Sequence, residues 1–175
     1  MVEKQIRRVI EPTSGFSGEI GIWVATLDEL RRQTRETVAG MTPEQLAWKP
    51  PGGGNSVGQL LRHIALVELD WLLTDLSRGA PLPKDAPALM QLDGAMVDPG
   101  LRPLEVFLDS LDYARNLTRK KLAGFGRDEI ETTRETKGEG VHKVFNVRWI
   151  LFHLLNHEAQ HRGQILAVQR MMKAT

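Results

Sequence analysis

The most apolar helical stretch of the chain reads VRWILFHLLNHEAQHRGQILAVQRMM and covers residues 147–172. Its large apolar side chains lie nearly all round the helix axis: Trp149, Ile150, Phe152, Leu154, Leu155, Ile165, Leu166 and Val168. A helix that is apolar on most of its surface is typically surrounded by other elements. We therefore expect a helix from about Asn146 or Val147 to Met172 at the centre of an all-α fold.

Three further segments carry apolar residues at the three- and four-residue steps of an amphipathic helix. They run from about Ser17 to Val38, from about Ser56 to Arg78, and from about Pro103 to just before Gly124. Four long helices joined by two long connections predict a four-helix bundle with a crossover connection. We expect residues 1–175 to form this single domain, because their number suits one domain of ordinary size.

Two helix starts show the pattern of a capping box, in which two side chains three residues apart each bond the other's backbone N–H. Thr42 with Gln45 begins a short helix in this way. Ser56 with Gln59 begins the second long helix. The short helix must end before residues 49–54, because their sequence KPPGGG cannot continue a helix.

Two connections lack the helical pattern. Residues 80–100 are rich in Pro, Ala, Asp and Gly, which predicts a long crossing loop without strong structure. A loop of that length in a compact domain is usually functional or a crossover. Residues 129–136 and 141–147 alternate weakly in polarity on either side of a turn that contains Gly138 and Gly140. That arrangement predicts a small β-hairpin before the last helix.

The composition argues against several classes of function. With 23 Lys and Arg against 22 Asp and Glu, the net charge of +1 gives no electrostatic footprint for nucleic acid or an anionic membrane. No stretch approaches the roughly 18 apolar residues of a membrane span. The first fifteen residues, MVEKQIRRVIEPTSG, lack the apolar run of a signal peptide. We therefore expect a soluble, cytoplasmic protein without nucleic-acid or membrane partners.

The chain contains no cysteine. It therefore forms no disulfide and supplies neither a thiol nucleophile nor a thiolate ligand. Any bound metal would be held by histidine, aspartate or glutamate. Any thiol chemistry would need a thiol from outside the protein.

Three of the five histidines, His153, His157 and His161, lie four residues apart on the last helix. A four-residue step turns about 40° around the axis, so neighbouring members of the series share a face. Two imidazoles at this spacing can reach one metal ion from a rigid backbone. All three sweep about 80°, which is too wide for one tetrahedral ion, so one of them should not be a ligand.

A third ligand must come from another helix, and His63 is the candidate, at the edge of the buried stripe of the second long helix. We predict that His63, His157 and His161 bind one divalent metal ion. The alternative is a set of hydrogen-bonded core histidines. We expect His153 to be packed or to contact the ligands from outside. We expect His142, in the hairpin, to lie on the surface.

Residues 157–161 read HEAQH and match the HExxH pattern of zinc peptidases. Such peptidases take a third ligand downstream. This chain has no Glu, Asp or His after His161, and Ala167 stands where the extended motif needs histidine. A peptidase is therefore disfavoured. Glu158 could still orient or deprotonate a metal-bound water, and the alternative is a solvated helix carboxylate.

Two stretches resemble the DinB/YfiT-like superfamily of metalloenzymes. Residues 60–65, LLRHIA, follow Asn55–Ser56 and a WKPPG segment, and are similar to the second helix of that family. Residues 152–165, FHLLNHEAQHRGQI, are similar to the signature of its last helix. The resemblance extends from about Trp23 to Met172 in the order and spacing of elements.

This resemblance implies a four-helix bundle with a crossover, in which His63, His157 and His161 bind one ion, commonly zinc or nickel. Open positions on the ion would take water or substrate. Homodimers are common in the family. Its characterised members include thiol-dependent transferases and isomerases that use mycothiol, bacillithiol or glutathione. Residues 80–100 lie outside the resemblance, and we expect them to shape the substrate pocket.

Three functions are compatible with these residues. The first is a metal-dependent, thiol-dependent transferase acting on a small molecule, in which the ion activates an exogenous thiol. The second is a metal-dependent hydrolase with Glu158 as base. The third is a non-catalytic metal or ligand-binding module, for which a fourth ligand such as His153 or His142 would close the site. The ligand set alone does not name the ion, since imidazole suits zinc, nickel, copper and iron.

Overall fold

The structure is a computed structural model that describes residues 9–91, 96–138 and 141–174. The α-helices are α1 (Gly18–Val38), α2 (Pro43–Ala47), α3 (Val57–Trp71), α4 (Leu104–Ala123) and α5 (Val147–Ala174). Two strands, β1 (Thr133–Gly138) and β2 (Val141–Asn146), form an antiparallel hairpin directly before α5. The predicted helical fold with a hairpin before the last helix is confirmed.

Both predicted capping boxes are present. The Thr42 Oγ1 atom accepts from the Gln45 N–H at 3.3 Å, and the Gln45 Oε1 atom accepts from the Thr42 N–H at 2.9 Å. At the start of α3, Ser56 and Gln59 make the same two bonds at 3.2 and 3.0 Å. These bonds satisfy N–H groups that have no partner inside the helix.

The end of α3 differs from the sequence prediction. Regular α-helix stops at Trp71, and residues Leu72–Leu76 continue as a wider π-helical turn. Arg78 and Gly79 then adopt left-handed backbone conformations, with φ of 56° and 80°. The N–H of Gly79 returns to the Leu73 carbonyl at 2.9 Å, which closes the helix end. Gly79 therefore marks the end as predicted, but the last turn before it is wider.

Helix α3, rather than α5, is the most buried long helix. Eleven of the 15 residues of α3 are buried, against seven of the 28 residues of α5. The expectation that the last helix lies at the centre is therefore wrong. Helix α3 packs between α4 and α5 and beneath α2, whereas α5 makes its main helix contacts with α1 and α3. As a result Trp149, Phe152 and Met171 on α5 are 44–50 % exposed.

The long connection between α3 and α4 is anchored to the bundle. It contains a short 3₁₀ turn, Ala88–Met90, and the Met90 side chain is fully buried. Arg62 on α3 donates to the backbone carbonyls of Leu89 at 3.0 Å and Gln91 at 3.1 Å. The described part of the predicted loop is thus held against the bundle, and residues 92–95 lie outside the described residues.

Within the described ranges, no helix has both the length and the apolar character that crossing a membrane requires.

Candidate metal centre

The structure brings the three predicted ligands together. His63 on α3 faces His157 and His161 on α5, and the three are called the three-histidine cluster below. The His157 Nε2 atom lies 3.0 Å from the His63 Nε2 atom and 3.0 Å from the His161 Nε2 atom. One ring nitrogen from each residue lies within 4.8 Å of the other two. A side chain from early in the chain therefore meets two near its end, as predicted.

The spacing of the nitrogens fits a metal ion. Zinc–nitrogen bonds of about 2.0–2.1 Å in a tetrahedral site place two ligand nitrogens about 3.3 Å apart. The two 3.0 Å separations in the cluster need only a small outward movement to reach that value. The rings approach edge to face, at 85° between His63 and His161 and 70° between His157 and His161, so they do not stack.

Hydrogen bonding alone does not satisfy both contacts of the His157 Nε2 atom. A neutral imidazole nitrogen carries either one proton or one in-plane lone pair. The His157 Nε2 atom faces two other ring nitrogens and can make a good hydrogen bond with only one of them. A cation accepts all three lone pairs at once. The donor set therefore fits a metal ion better than it fits a group of hydrogen-bonded core histidines.

The electrostatic environment keeps His157 neutral. Burial lowers the pKa of His157 to about 3, and the neighbouring His161, His63 and His153 act in the same direction. A neutral imidazole ring holds a single proton. With that proton on Nδ1, the Nε2 atom that faces the cluster offers its lone pair to a metal ion at neutral pH. A neutral imidazole is the form of histidine that binds metals.

Gln164 orients one of the three rings, and the sequence reasoning missed it. The Nδ1–H of His161 donates to the Gln164 Oε1 atom at 2.9 Å. This bond leaves the lone pair on Nε2, the atom that faces the cluster. The signal was present in the sequence, because residues three apart on a helix lie on the same side.

The other two histidines lie outside the cluster. The His153 ring stacks on Trp149 at 5.2 Å and an interplanar angle of 9°, and it also lies 4.9 Å from the Trp71 ring. It is therefore packed, as predicted. The exposed His142 in β2 pairs with Glu135 at 3.1 Å, so it lies on the surface as expected. Among the described residues, neither completes the group of converging nitrogens.

Comparison with known proteins agrees with the resemblance. A family model described as the DinB superfamily matches residues 26–165. The chain belongs to the DinB superfamily. The crystal structure of a "conserved protein of locus from Enterococcus faecalis" superposes with a TM-score of 0.62. The match covers 88 % of this chain and 96 % of that one at 15 % identity, so it supports the fold alone. No curated protein matches the chain.

In this DinB-superfamily chain, Glu158 is neither solvated nor free. It is 2 % exposed, so the solvated helix carboxylate, one of the two alternatives for this residue, is excluded. Its carboxylate accepts bonds from Arg31 at 2.8 and 3.1 Å and from Arg115 at 3.3 Å. A general base must reach the proton that it removes. Because both carboxylate oxygens are engaged by guanidinium groups, these contacts argue against Glu158 as the base of a hydrolase.

A row of aromatic rings runs from the cluster towards the hairpin along the DinB-superfamily bundle. The His153 ring lies 5.9 Å from the His157 ring, and Trp149 stacks on His153. Phe145 in β2 stacks on Trp149 at 5.6 Å, and Trp71 at the end of α3 lies against all three of these rings. Since Trp149 is 44 % exposed, the row forms a partly open apolar wall beside the histidines.

Proposed function

We propose that this chain is a metalloenzyme that binds one divalent ion through His63, His157 and His161, zinc or nickel being the first candidates. We further propose that it transfers a low-molecular-weight thiol to, or uses one to rearrange, a small electrophilic molecule. The observation that carries the proposal is the convergence of three imidazole nitrogens at one point.

The number and exposure of the ligands favour catalysis over a structural role. Structural zinc sites are closed by four protein ligands, whereas catalytic sites keep an open position. In the part of the chain that the structure describes, three residues converge, and each is partly exposed. Solvent or a substrate can therefore reach the cluster, and the non-catalytic binding module is the less favoured alternative.

The thiol-dependent reaction is what the family resemblance implies, and the donor set and the composition are compatible with it. When bound, the ion would lower the pKa of an exogenous thiol and hold it as a thiolate. Three neutral imidazoles leave the full charge of the ion available for this effect. The chain has no cysteine of its own to supply the sulfur. Gln164 would keep His161 oriented, and the ring of Trp149 would contact the apolar part of the second substrate.

We also propose that the protein forms a homodimer through exposed apolar side chains of α5. Phe152 is 50 % exposed and lies three residues after Trp149, which is 44 % exposed, so two large apolar side chains adjoin on one side of this helix. Sedimentation velocity tests this point. A single species at monomer mass over the micromolar range would contradict it.

Elemental analysis tests the metal. Protein purified without a His tag or added metal should carry stoichiometric zinc or nickel, and His157→Ala should not. His142→Ala is the matched control and should keep the metal, because His142 lies on the hairpin away from the cluster. Metal-free wild-type protein that also fails to take up added zinc or nickel would overturn the proposal.

Thiol assays test the reaction. Mycothiol, bacillithiol and glutathione should be compared by thermal shift on the metal-loaded protein, each with a panel of electrophiles. One of them should stabilise the protein and support turnover that His157→Ala abolishes. If the metal-loaded protein neither binds nor turns over any of the three, the metal site stands but the thiol-dependent reaction fails.

A further inference from the structure

Four charged side chains meet inside the bundle, one from each long helix. They are Arg31 on α1, Glu68 on α3, Arg115 on α4 and Glu158 on α5, and they are called the buried ion-pair network below. None is more than 5 % exposed. The two positive and two negative charges balance, so the network is formally neutral.

Arg31 joins α1 to the three other helices. Its Nε atom donates to the Glu158 Oε1 atom at 2.8 Å, and its Nη2 atom donates to the Glu68 Oε2 atom at 2.7 Å. Its Nη1 atom donates to the backbone carbonyl of Leu111 on α4 at 2.6 Å. One planar guanidinium group therefore bonds to three other helices at once. The compact ammonium group of lysine does not have this fork of fixed N–H donors.

Arg115 binds the same two carboxylates from the opposite helix. Its Nε atom donates to the Glu68 Oε1 atom at 2.7 Å, and its Nη2 atom donates to the Glu158 Oε2 atom at 3.3 Å. The Nη2 atom also donates to the Glu68 Oε2 atom at 3.2 Å, and the Nη1 atom donates to Asp28 on α1 at 3.3 Å. Each buried carboxylate is thus held by both guanidinium groups. Burial alone would raise the pKa of Glu68, but Arg115 and Arg31 outweigh it and lower that pKa to about 2.

The network lies next to the three-histidine cluster along both ligand-bearing helices. Glu158 directly follows His157, and Glu68 lies five residues after His63, which is about one and a half helical turns. If α3 or α5 rotated or slid, these carboxylates would leave the guanidinium groups. The same movement would change the 3.0 Å separation between the Nε2 atoms of His63 and His157.

A network of this kind contributes more to geometry than to stability. The cost of removing charged groups from water offsets much of their mutual attraction, so apolar replacements are often as stable. Apolar side chains, however, tolerate small slides between helices. Hydrogen bonds from a guanidinium group are directional and do not.

We propose that Arg31, Glu68, Arg115 and Glu158 are positioning residues, which hold α3 and α5 in the register that brings His63 to His157 and His161. This inference rests on the proposed metal site and adds to it the residues that preorganise the ligands.

Arg31→Lys and Glu68→Gln test the proposal. Each variant keeps a side chain of similar size but loses part of the hydrogen bonds that the wild-type side chain makes within the network. Both should weaken zinc affinity about tenfold or more, the effect typical of groups that orient ligands. Both should also change the visible absorption spectrum of the cobalt-loaded protein. Leu122→Ala is the control, since Leu122 is a fully buried residue of α4 outside the network. It should lower the melting temperature but keep the affinity and the spectrum.

The double variant Arg31→Met/Glu158→Leu separates positioning from stability and covers the case in which a single variant does not fold. It removes one charge of each sign and leaves Arg115 with Glu68 and Asp28. We expect a melting temperature near that of the wild type, together with weakened zinc affinity and an altered cobalt spectrum. Wild-type affinity and spectrum in this variant, or in both folded single variants, would overturn the proposal.

Histidine ring ¹⁵N NMR of the metal-free protein keeps this test separate from that of the proposed function. If the wild type binds no metal, the proposed function fails. The ring signals of His63 and His157 should still shift in Arg31→Lys and not in Leu122→Ala. Unchanged ring signals in Arg31→Lys would overturn the positioning role whether or not metal binds.

Discussion

His157 occupies the middle of the three-histidine cluster. Its Nε2 atom faces both neighbours at 3.0 Å, and desolvation keeps its ring neutral. His161 depends on a second group, because its bond to Gln164 determines which nitrogen carries the proton. At the scale of single residues, the site is therefore built around one partly buried ring, His157, and one ring, His161, that a neighbouring side chain orients.

Gln164→Leu should weaken metal binding. The substitution removes the acceptor of the His161 Nδ1–H, and loss of such a partner typically costs 10–100-fold in metal affinity. Because Gln164 is exposed, we expect a change in stability of no more than about 0.5 kcal/mol. Competition with a chromogenic chelator measures the affinity. Gln160→Leu, an equally exposed change on the same helix, should bind zinc like the wild type.

The metal-free protein should lose stability as the pH falls below about 6.5. In the unfolded chain His157 takes up a proton near that pH, while in the folded protein its pKa is lowered to about 3, chiefly by burial. The unfolded state therefore binds more protons between these values, and stability rises with pH across this range. Urea unfolding from pH 7.5 to pH 5 measures the slope. His157→Gln should show a shallower slope, and an equal slope would contradict the assignment.

Helices α2 and α4 both come close to the backbone of α3 at Gly58, near the start of that helix. A Cβ atom added at Gly58 would lie 2.9 Å from the Phe107 ring and 3.2 Å from the Leu46 carbonyl oxygen. Phe107 is 1 % exposed and cannot move aside easily. The absence of a side chain at this position lets α2 and α4 approach the start of α3.

Gly58→Ala should therefore destabilise the protein by about 1–3 kcal/mol through overpacking, although alanine is the better helix former. Gly163→Ala on α5 is the matched control. No atom lies within 4 Å of the added Cβ there, so helix propensity alone should stabilise the protein by about 0.5–1 kcal/mol. Urea unfolding of the metal-free proteins measures both. Equal changes in the free energy of unfolding at the two sites would contradict the prediction that overpacking determines the effect of Gly58→Ala.

At the scale of the whole molecule, the three-histidine cluster spans two helices whose ligands are 94 residues apart in the chain. A metal bound there would join α3 to α5 only in the folded state. Binding would therefore add to the free energy of unfolding, whereas the buried ion-pair network orders the same helices without metal.

Chelation should lower the melting temperature of the wild type. A ligand present at about 100 times its dissociation constant stabilises the native state by about 2.7 kcal/mol. Differential scanning calorimetry with and without a chelator, followed by added zinc, measures this shift and its reversal. His63→Ala should melt at the same temperature in all three conditions. A wild type insensitive to both chelator and zinc would contradict metal binding in the native state.

Local interactions made much of the molecule predictable. The capping boxes at Thr42 and Ser56, the hairpin before α5, and the shared face of His157 and His161 depend on residues a few positions apart. The approach of His63 was also predicted, from its place at the edge of an apolar stripe and from the family resemblance. The role of Gln164 was readable from its three-residue spacing but was missed.

Contacts between distant residues were decided by the tertiary structure alone. Arg31 and Glu158 are 127 residues apart, and no periodicity in either segment indicates that they meet. The burial of Glu158, the central place of α3 and the exposed side of α5 likewise depend on how each helix rotates when the bundle packs. An apolar pattern specifies which residues of a helix avoid water, but several rotations of the helix about its axis satisfy that pattern. The packing of all the helices together determines which rotation is adopted.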